Sequence, residues 1–247
     1  MLRDQLIDAT IRLRLDEPLQ AARSLLSPDG REYANEQRQL HALMAKTLTA
    51  TSNCIDVGAY RGRVLARMVR QAPRGRHIAY EPLPHLHRLL VRRFPEVDVR
   101  LAALSNQPGT TTFTIVRDAP GLSGFRNRWD GDPLHNTESM DVRVETLDTA
   151  LPSGYVPHFI KIDVEGAERL VFEGGIKTIA THKPTILFEH GKGGANHYAT
   201  APGDIHRLLT GEAGLRIFAL DGDRPLDLAQ FEDEYRRNEQ WNFVARA

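Results

Sequence analysis

Long apolar runs are missing from this sequence. No stretch approaches the roughly 20 consecutive apolar residues that a membrane-spanning helix needs, and the mean hydropathy is −0.40. Cysteine is nearly absent: Cys54 stands alone among 247 residues, so no intrachain disulfide can form and a reducing compartment is expected. A basic start followed by an apolar stretch, the mark of a secretory leader, is also lacking. Net charge is zero, with 32 Lys and Arg against 32 Asp and Glu, so no overall field draws the chain to nucleic acid or to an anionic membrane. There is no internal repeat and no low-complexity tract. The expectation is a soluble, cytoplasmic protein without nucleic-acid or membrane partners.

Two textures divide what is present. Over residues 1–50, Leu2, Leu6, Ile7, Ile11 and Leu13, then Leu40, Leu43, Met44 and Leu48, carry helical spacing. Pro18 and the turn signal Ser27-Pro28-Asp29-Gly30 interrupt it, which predicts a helical cap. Residues 51–247 read as a single α/β fold unit. Short β-rich runs at 54–57, 78–80, 97–102, 159–162, 185–188, 215–220 and 241–245 alternate with helical stretches, predicting a seven-stranded, mostly parallel sheet with helices on both faces. The alternation breaks before the fourth of these runs. Residues 110–116 and 140–144 look like extra strands, giving a β insertion over 110–145. The loop between them, 117–139, is too long for a plain connector. With Phe125, Arg126, Trp129 and His135 it suits substrate recognition. Pro202-Gly203-Asp204 predicts the start of the last substantial helix, with Asp204 as its N-cap.

The first strand runs into Asp56-Val57-Gly58-Ala59-Tyr60-Arg61-Gly62. Gly58 and Gly62 let the backbone turn tightly and approach a ligand where a helix begins. A dinucleotide loop requires G-x-G-x-x-G to seat a pyrophosphate; this segment is acidic-x-Gly-x-x-x-Gly and carries no such signature. Asp56 suits a cofactor with a cationic amino-acid part, reached directly or through water. The next strand ends in Tyr80-Glu81-Pro82, about where a Rossmann-like fold holds its ribose-binding carboxylate. The third ends in Ala102-Ala103-Leu104-Ser105, where the backbone near Ala103 and Leu104 or the Ser105 hydroxyl can read an adenine edge. The alternative for these segments is an ordinary tight turn and a helix-capping carboxylate.

The fourth strand, Phe159-Ile160-Lys161-Ile162, runs directly into Asp163-Val164-Glu165-Gly166-Ala167-Glu168. Strand ends at the carboxyl edge of a parallel sheet face the ligand crevice, so Asp163 and Glu165 are candidates for catalysis and Asp163 also for cofactor contact. They can equally brace the loop by accepting backbone N–H bonds. Glu168 is expected to complement a helix dipole. His190, closing the fifth strand, is a further candidate base because its ordinary pKa lies near neutrality. His190 and His197 lack metal-ligand spacing, and no metal is expected.

These pieces together resemble the FkbM family of methyltransferases. The matching segments are Asp56-Val57-Gly58-Ala59 with Gly62, Glu81-Pro82, Ala103-Leu104-Ser105, Thr146-Leu147-Asp148, Ile160-Lys161-Ile162-Asp163-Val164-Glu165-Gly166-Ala167-Glu168 and Ile186-Leu187-Phe188-Glu189-His190. The run from Lys161 to Glu168 is the specific one. The resemblance implies a Rossmann-like class I methyltransferase fold, S-adenosyl-L-methionine as cofactor, and O-methylation of a hydroxyl on a sugar, polyketide or similar small molecule. Donor-site residues would be Asp56, Gly58, Tyr60, Gly62, Glu81, Pro82, Ala103, Leu104, Ser105 and Asp163. Glu165 is the first candidate to assist a substrate hydroxyl, ahead of His190. The family commonly has Asn where this chain has Tyr60. Two other readings stand beside this one: a nicotinamide-dependent oxidoreductase, disfavoured by the missing G-x-G-x-x-G, and a non-catalytic nucleoside-binding module.

Overall fold

Seven short strands line up side by side in the computed structural model, which describes residues 28–126 and 136–247. The chain divides into two units, 1–46 and 47–247. In the first, residues 1–27 of the expected cap lie outside the described residues. What is described is helix α1 (Pro28–Thr47), with Leu40, Leu43 and Met44 buried at i, i+3 and i+4. Pro28 does not sit inside a turn, as its neighbours in the sequence suggest; it opens this helix, where its missing N–H costs nothing.

In the second unit the chain runs β1 (Cys54–Val57), α2 (Arg63–Gln71), β2 (Ile78–Tyr80), α3 (Pro84–Arg93) and β3 (Asp98–Arg100). After an excursion through β4 (Ala103–Leu104), β5 (Gly109–Val116), β6 (Thr137–Glu145) and the short α4 (Leu147–Ala150), it returns as β7 (Phe159–Ile162), α5 (Glu168–His182) and β8 (Thr185–Glu189). It ends with α6 (Lys192–Ala195), α7 (Pro202–His206), β9 (Arg216–Ala219), α8 (Leu228–Arg237) and β10 (Asn242–Arg246).

The large sheet has the order β3-β2-β1-β7-β8-β10-β9. Its pairs are parallel from β3 to β8, and β10 runs antiparallel to both neighbours. Strand order reverses between β1 and β7, and such a switch point opens a crevice beyond the carboxyl ends of the strands. Both strands are buried at every position, as parallel strands covered on two faces must be. Phe172, Phe188, Phe231 and Phe243 fill the far half of the core, with Phe231 and Phe243 edge to face at 4.9 Å. Trp241, the first residue of the expected run 241–245, is 36% exposed and precedes the strand. Cys54 is buried and desolvation pushes its thiol to about 12, so it stays an unreactive thiol. Among the described residues no helix is long and apolar enough to cross a membrane.

The insertion is a separate three-stranded sheet, β4-β6-β5. Ala103 and Leu104, expected to close the third strand, leave the large sheet and pair in parallel with Val144 and Glu145. β6 begins at Thr137, earlier than the apolar run 140–144, because Thr137, Glu138 and Ser139 pair with Val116, Ile115 and Thr114. Their polar side chains leave nothing apolar to announce them. Of the expected recognition loop, residues 127–135 with Trp129 and His135 lie outside the described residues. Asp204 is the third residue of α7, not its N-cap: its carboxylate accepts the Ala201 N–H at 3.0 Å.

Helix α5 presses against the chain leaving β4 with no space to spare. A Cβ on Gly174 would lie 2.0 Å from the Ser105 carbonyl oxygen. Alanine ordinarily gains about 1 kcal/mol over glycine inside a helix, but here the methyl must push backbone aside, which reverses the sign. Gly174→Ala should therefore lower the urea midpoint of unfolding, whereas Gly211→Ala, whose methyl meets nothing within 4 Å, should not.

Candidate functional site

A cavity of about 180 Å³ lies at the switch point, walled by the ends of β1, β2 and β7, by β4, and by the insertion. Its floor is the contact between two loops. Gly58 has φ +76°, and a Cβ there would stand 2.0 Å from the Asp163 carbonyl oxygen. Only glycine lets the two loops meet this closely. Gly62, with the same φ, serves a different purpose: its missing side chain makes room for Leu90 and Phe94 of the α3 segment, each 2.6 Å from an added Cβ. It is not on the cavity wall.

Gly58, Tyr60, Glu81, Pro82, Ala103, Leu104 and Asp163 line the cavity, as does Glu165. Glu81 is the best-held of these. Its Oε2 accepts the Tyr60 N–H at 2.8 Å and its Oε1 the Leu83 N–H at 2.9 Å. Burial nevertheless raises this carboxyl to about 7, against the lowering effect of those two bonds. Tyr60 has φ 50° and Glu165 φ 59°. Left-handed backbone is costly for both residue types, and neither position is a helix C-cap. Strain of this kind tends to collect at functional sites. The Tyr60 ring turns toward the insertion, 3.9 Å from where a Gly121 Cβ would stand.

Besides Gly62, three expected site residues sit elsewhere. Asp56 is fully buried behind the wall, and among the described residues its nearest ion-pair partner is Lys161, whose Nζ stands 3.5 Å from Oδ1. Burial pushes its carboxyl upward, opposed by Lys161. Ser105 faces away: its N–H donates to the Glu145 carbonyl at 3.0 Å, and it lines a neighbouring cavity. His190 is 1% exposed and stacked between Phe231 and Tyr235, with ring centroids at 5.6 and 4.8 Å. Desolvation lowers it to about 4, so the ring is neutral. Glu168 acts as a brace. Its Oε1 accepts the N–H groups of Val164 and Gly166 at 3.0 and 3.1 Å, holding the loop that carries Asp163 and Glu165.

Two features escape a reading of the sequence. One is Lys161, whose Nζ donates to the Gly58 carbonyl at 2.7 Å and stands 3.2 Å from Asp163 Oδ2 and 3.5 Å from Asp56 Oδ1. A lysine inside an otherwise apolar strand is the signal that could have found it. The other is where the insertion closes: Phe113 and, from the loop expected to recognise substrate, Pro120, Gly121, Ser123 and Phe125 roof the same cavity that Glu81 and Asp163 line. The residues fit a methyl donor bearing a nucleoside and an amino acid. Glu81 stands at the β2 end, a backbone cradle without a side chain lies at Gly58, and a carboxylate stands at Asp163.

The methyltransferase FkbM domain profile matches residues 56–217. No curated protein matches the sequence. Among solved structures, the methyltransferase FkbM from Methylobacillus flagellatus KT superposes with a TM-score of 0.51 at 16% identity, covering 81% of this chain and 44% of that one. This chain therefore spans less than half of that protein, and the likeness concerns fold alone. A TehB-like SAM-dependent methyltransferase from Corynebacterium glutamicum gives 0.45 at 14% identity, covering 87% and 95%. The plantazolicin methyltransferase BpumL, solved in complex with SAH, gives 0.43 at 11%, covering 92% of each chain. With the profile spanning most of the described α/β unit and the strand order that of class I methyltransferases, the chain belongs to the FkbM family of S-adenosylmethionine-dependent methyltransferases.

Proposed function

We propose that this chain methylates a hydroxyl oxygen of a small metabolite, such as a sugar or polyketide. The observation that carries the reading is Glu165: a carboxylate-bearing residue held in left-handed backbone on the cavity wall, two residues beyond Asp163. The bound donor supplies an activated methyl group. A hydroxyl must lose its proton as its oxygen attacks, and a carboxylate placed beside it takes that proton. A neutral amine already offers its lone pair and has less need of such a group.

Glu81 would hold the ribose hydroxyls, with Tyr60 and Pro82 beside it, and Ala103 and Leu104 would flank the adenine. Gly58 and Asp163 would meet the amino-acid end, with Asp56 behind them. Glu165 is the base. A pocket of about 490 Å³ shares Phe125 with the donor cavity and is lined by Ser105, Gln107, Thr110, Thr111, Arg126 and Tyr198. Its size and its hydroxyl and amide side chains suit a compact polar acceptor. His190, enclosed by aromatic rings, takes no part.

Glu165→Gln should leave the donor dissociation constant unchanged and cut turnover by about 100-fold or more, scored as labelled methyl transferred to a panel of hydroxylated metabolites; equal loss of donor binding would refute its role as base. Because ribose hydroxyls donate to an ionised carboxylate, and Glu81 in the free protein titrates at about 7, donor affinity measured by calorimetry should rise as pH passes upward through that value. Glu81→Gln should bind more weakly and lose that rise. Tyr60→Asn relieves a residue that is 36% exposed in left-handed backbone, which asparagine tolerates. The free protein should gain about 1 kcal/mol while donor binding weakens severalfold through loss of the ring.

A further inference from the structure

Lys161 occupies an unlikely place for an ammonium. It is 7% exposed, in the middle of a strand whose other residues are Phe159, Ile160 and Ile162. An ordinary hydrophobic residue would fill that place without the desolvation that a buried ion suffers on leaving water, and buried ion pairs seldom repay this in stability. The position therefore calls for an explanation beyond packing.

Sheet register supplies the first part. Asp56 and Lys161 are direct partners across the β1–β7 ladder, so their side chains leave the sheet on the same face, and Asp163, two residues further along, points the same way. The ammonium ends up among Asp56, Asp163 and the Gly58 carbonyl. It thus ties together both loops that form the cavity floor. Only Asp163 of the two carboxylates reaches the wall; Asp56 stays behind it.

Charge supplies the second part. Burial works against the Lys161 charge, yet Asp163 and Asp56, with Glu189 farther off, hold it above the ordinary lysine range. Glu81 feels it from β2. Two carboxylates thus face one cation at ion-pair distance, and burial with the Asp163 charge pushes Glu189 well above the usual carboxylate range. On the cavity side Asp163 alone of the two offers its carboxylate to a second positive charge. A methyl donor brings that charge in its amino-acid part.

We propose that Lys161 is a positioning residue for the donor: anchored on Gly58 and backed by Asp56, it fixes the Asp163 carboxylate at the cavity wall, where that carboxylate receives the donor's α-amino group. The nucleoside end is assigned to Glu81, Ala103 and Leu104; of these Glu81 feels the Lys161 charge through space, while the contacts of the ammonium itself are to Gly58, Asp163 and Asp56. The inference rests on donor binding alone and is indifferent to which acceptor is methylated.

The test compares two probes on the full chain by calorimetry: S-adenosylhomocysteine, which carries the amino-acid part, and methylthioadenosine, which lacks it. Lys161→Met should weaken S-adenosylhomocysteine at least 10-fold and methylthioadenosine less than 2-fold. A purely structural role would weaken both probes alike, and that result, or no loss for either, would overturn the proposal. Should Lys161→Met not fold, Lys161→Gln, which keeps a donor for the Gly58 carbonyl, carries the same comparison, with selective loss supporting the proposal and equal or no loss overturning it. Asp163→Asn should reproduce the selective loss. Lys161→Gln combined with Asp163→Asn should lose no more than the worse single variant; additive losses would mean that the lysine does not act through Asp163. If S-adenosylhomocysteine failed to bind the unmodified protein, the donor assignment itself would fall, a result distinct from any of these.

Discussion

One contact governs the site: the backbone of the β1 loop lies directly on the backbone of the β7 loop. Gly58 approaches the Asp163 carbonyl so closely that a single methyl group would collide at 2.0 Å. The parallel pairing of β1 with β7 delivers both loops to the same edge, and the reversal of strand order there leaves a gap that no following helix covers. The cavity is what remains above the contact. Gly58 thus does more than permit a turn, because it sets the depth of the floor. Lys161 ties that floor from below by bonding the Gly58 carbonyl while facing Asp163.

The acidic residues around this floor are sorted by what their oxygens already do. Glu168 is fully buried and its Oε1 is taken up by the N–H groups of Val164 and Gly166, so it shapes the loop. Glu81 is also bonded to two backbone N–H groups, but each bond uses one lone pair per oxygen and the residue still reaches the cavity wall. Asp56 lies behind the wall next to an ammonium. Similar residue types, within one short stretch of space, thereby differ in position: one braces a loop, one lines the cavity and one lies behind its wall beside an ammonium. Burial raises Glu81 and Glu168 alike, each to about 7, so electrostatics alone would not tell them apart. The hydrogen-bond partners and the access to the cavity do.

Much of this is legible in the sequence, for identifiable reasons. Central strands of a parallel sheet are mostly apolar, so β1, β7 and β8 declare themselves despite Asp56 and Lys161, and strand ends locate the crevice without further information. Gly58, Glu81, Asp163 and Glu165 can be found because their position relative to a strand end is a matter of counting. Gly62 and Ser105 are misplaced by the same counting, which does not say which way a residue faces: one glycine accommodates α3, and Ser105 has already turned into the insertion sheet. His190 suggests a base by its pKa class, whereas its surroundings are aromatic rings contributed by α8, far along the chain. The roof is hidden for another reason. β5 and β6 bury only five of their seventeen residues; the sequence announces the two strands, but residues that close over a cavity from a hairpin have no periodic signature to say what they cover.

The roof also bears on why the strain at Tyr60 and Glu165 persists. The described non-glycine residues with positive φ are Tyr60, Glu165, Lys183, Ala199 and Asn238. Lys183, Ala199 and Asn238 end helical segments, where left-handed backbone satisfies trailing carbonyls. Tyr60 and Glu165 end no helix; each is the second residue of a turn, closed by the Gly62 N–H on the Ala59 carbonyl and by the Ala167 N–H on the Val164 carbonyl, and both border the cavity beneath the insertion. A conformation costing about 1–2 kcal/mol survives only when its surroundings over-determine it. At Tyr60 the Glu81 carboxylate captures the N–H, and at Glu165 the neighbouring Val164 and Gly166 N–H groups are captured by Glu168. Each strained residue is therefore pinned through a buried carboxylate. Tyr60 is held toward the roof and Glu165 on the wall beneath it, so the cavity lies between two elements of different origin, a sheet edge and an inserted hairpin.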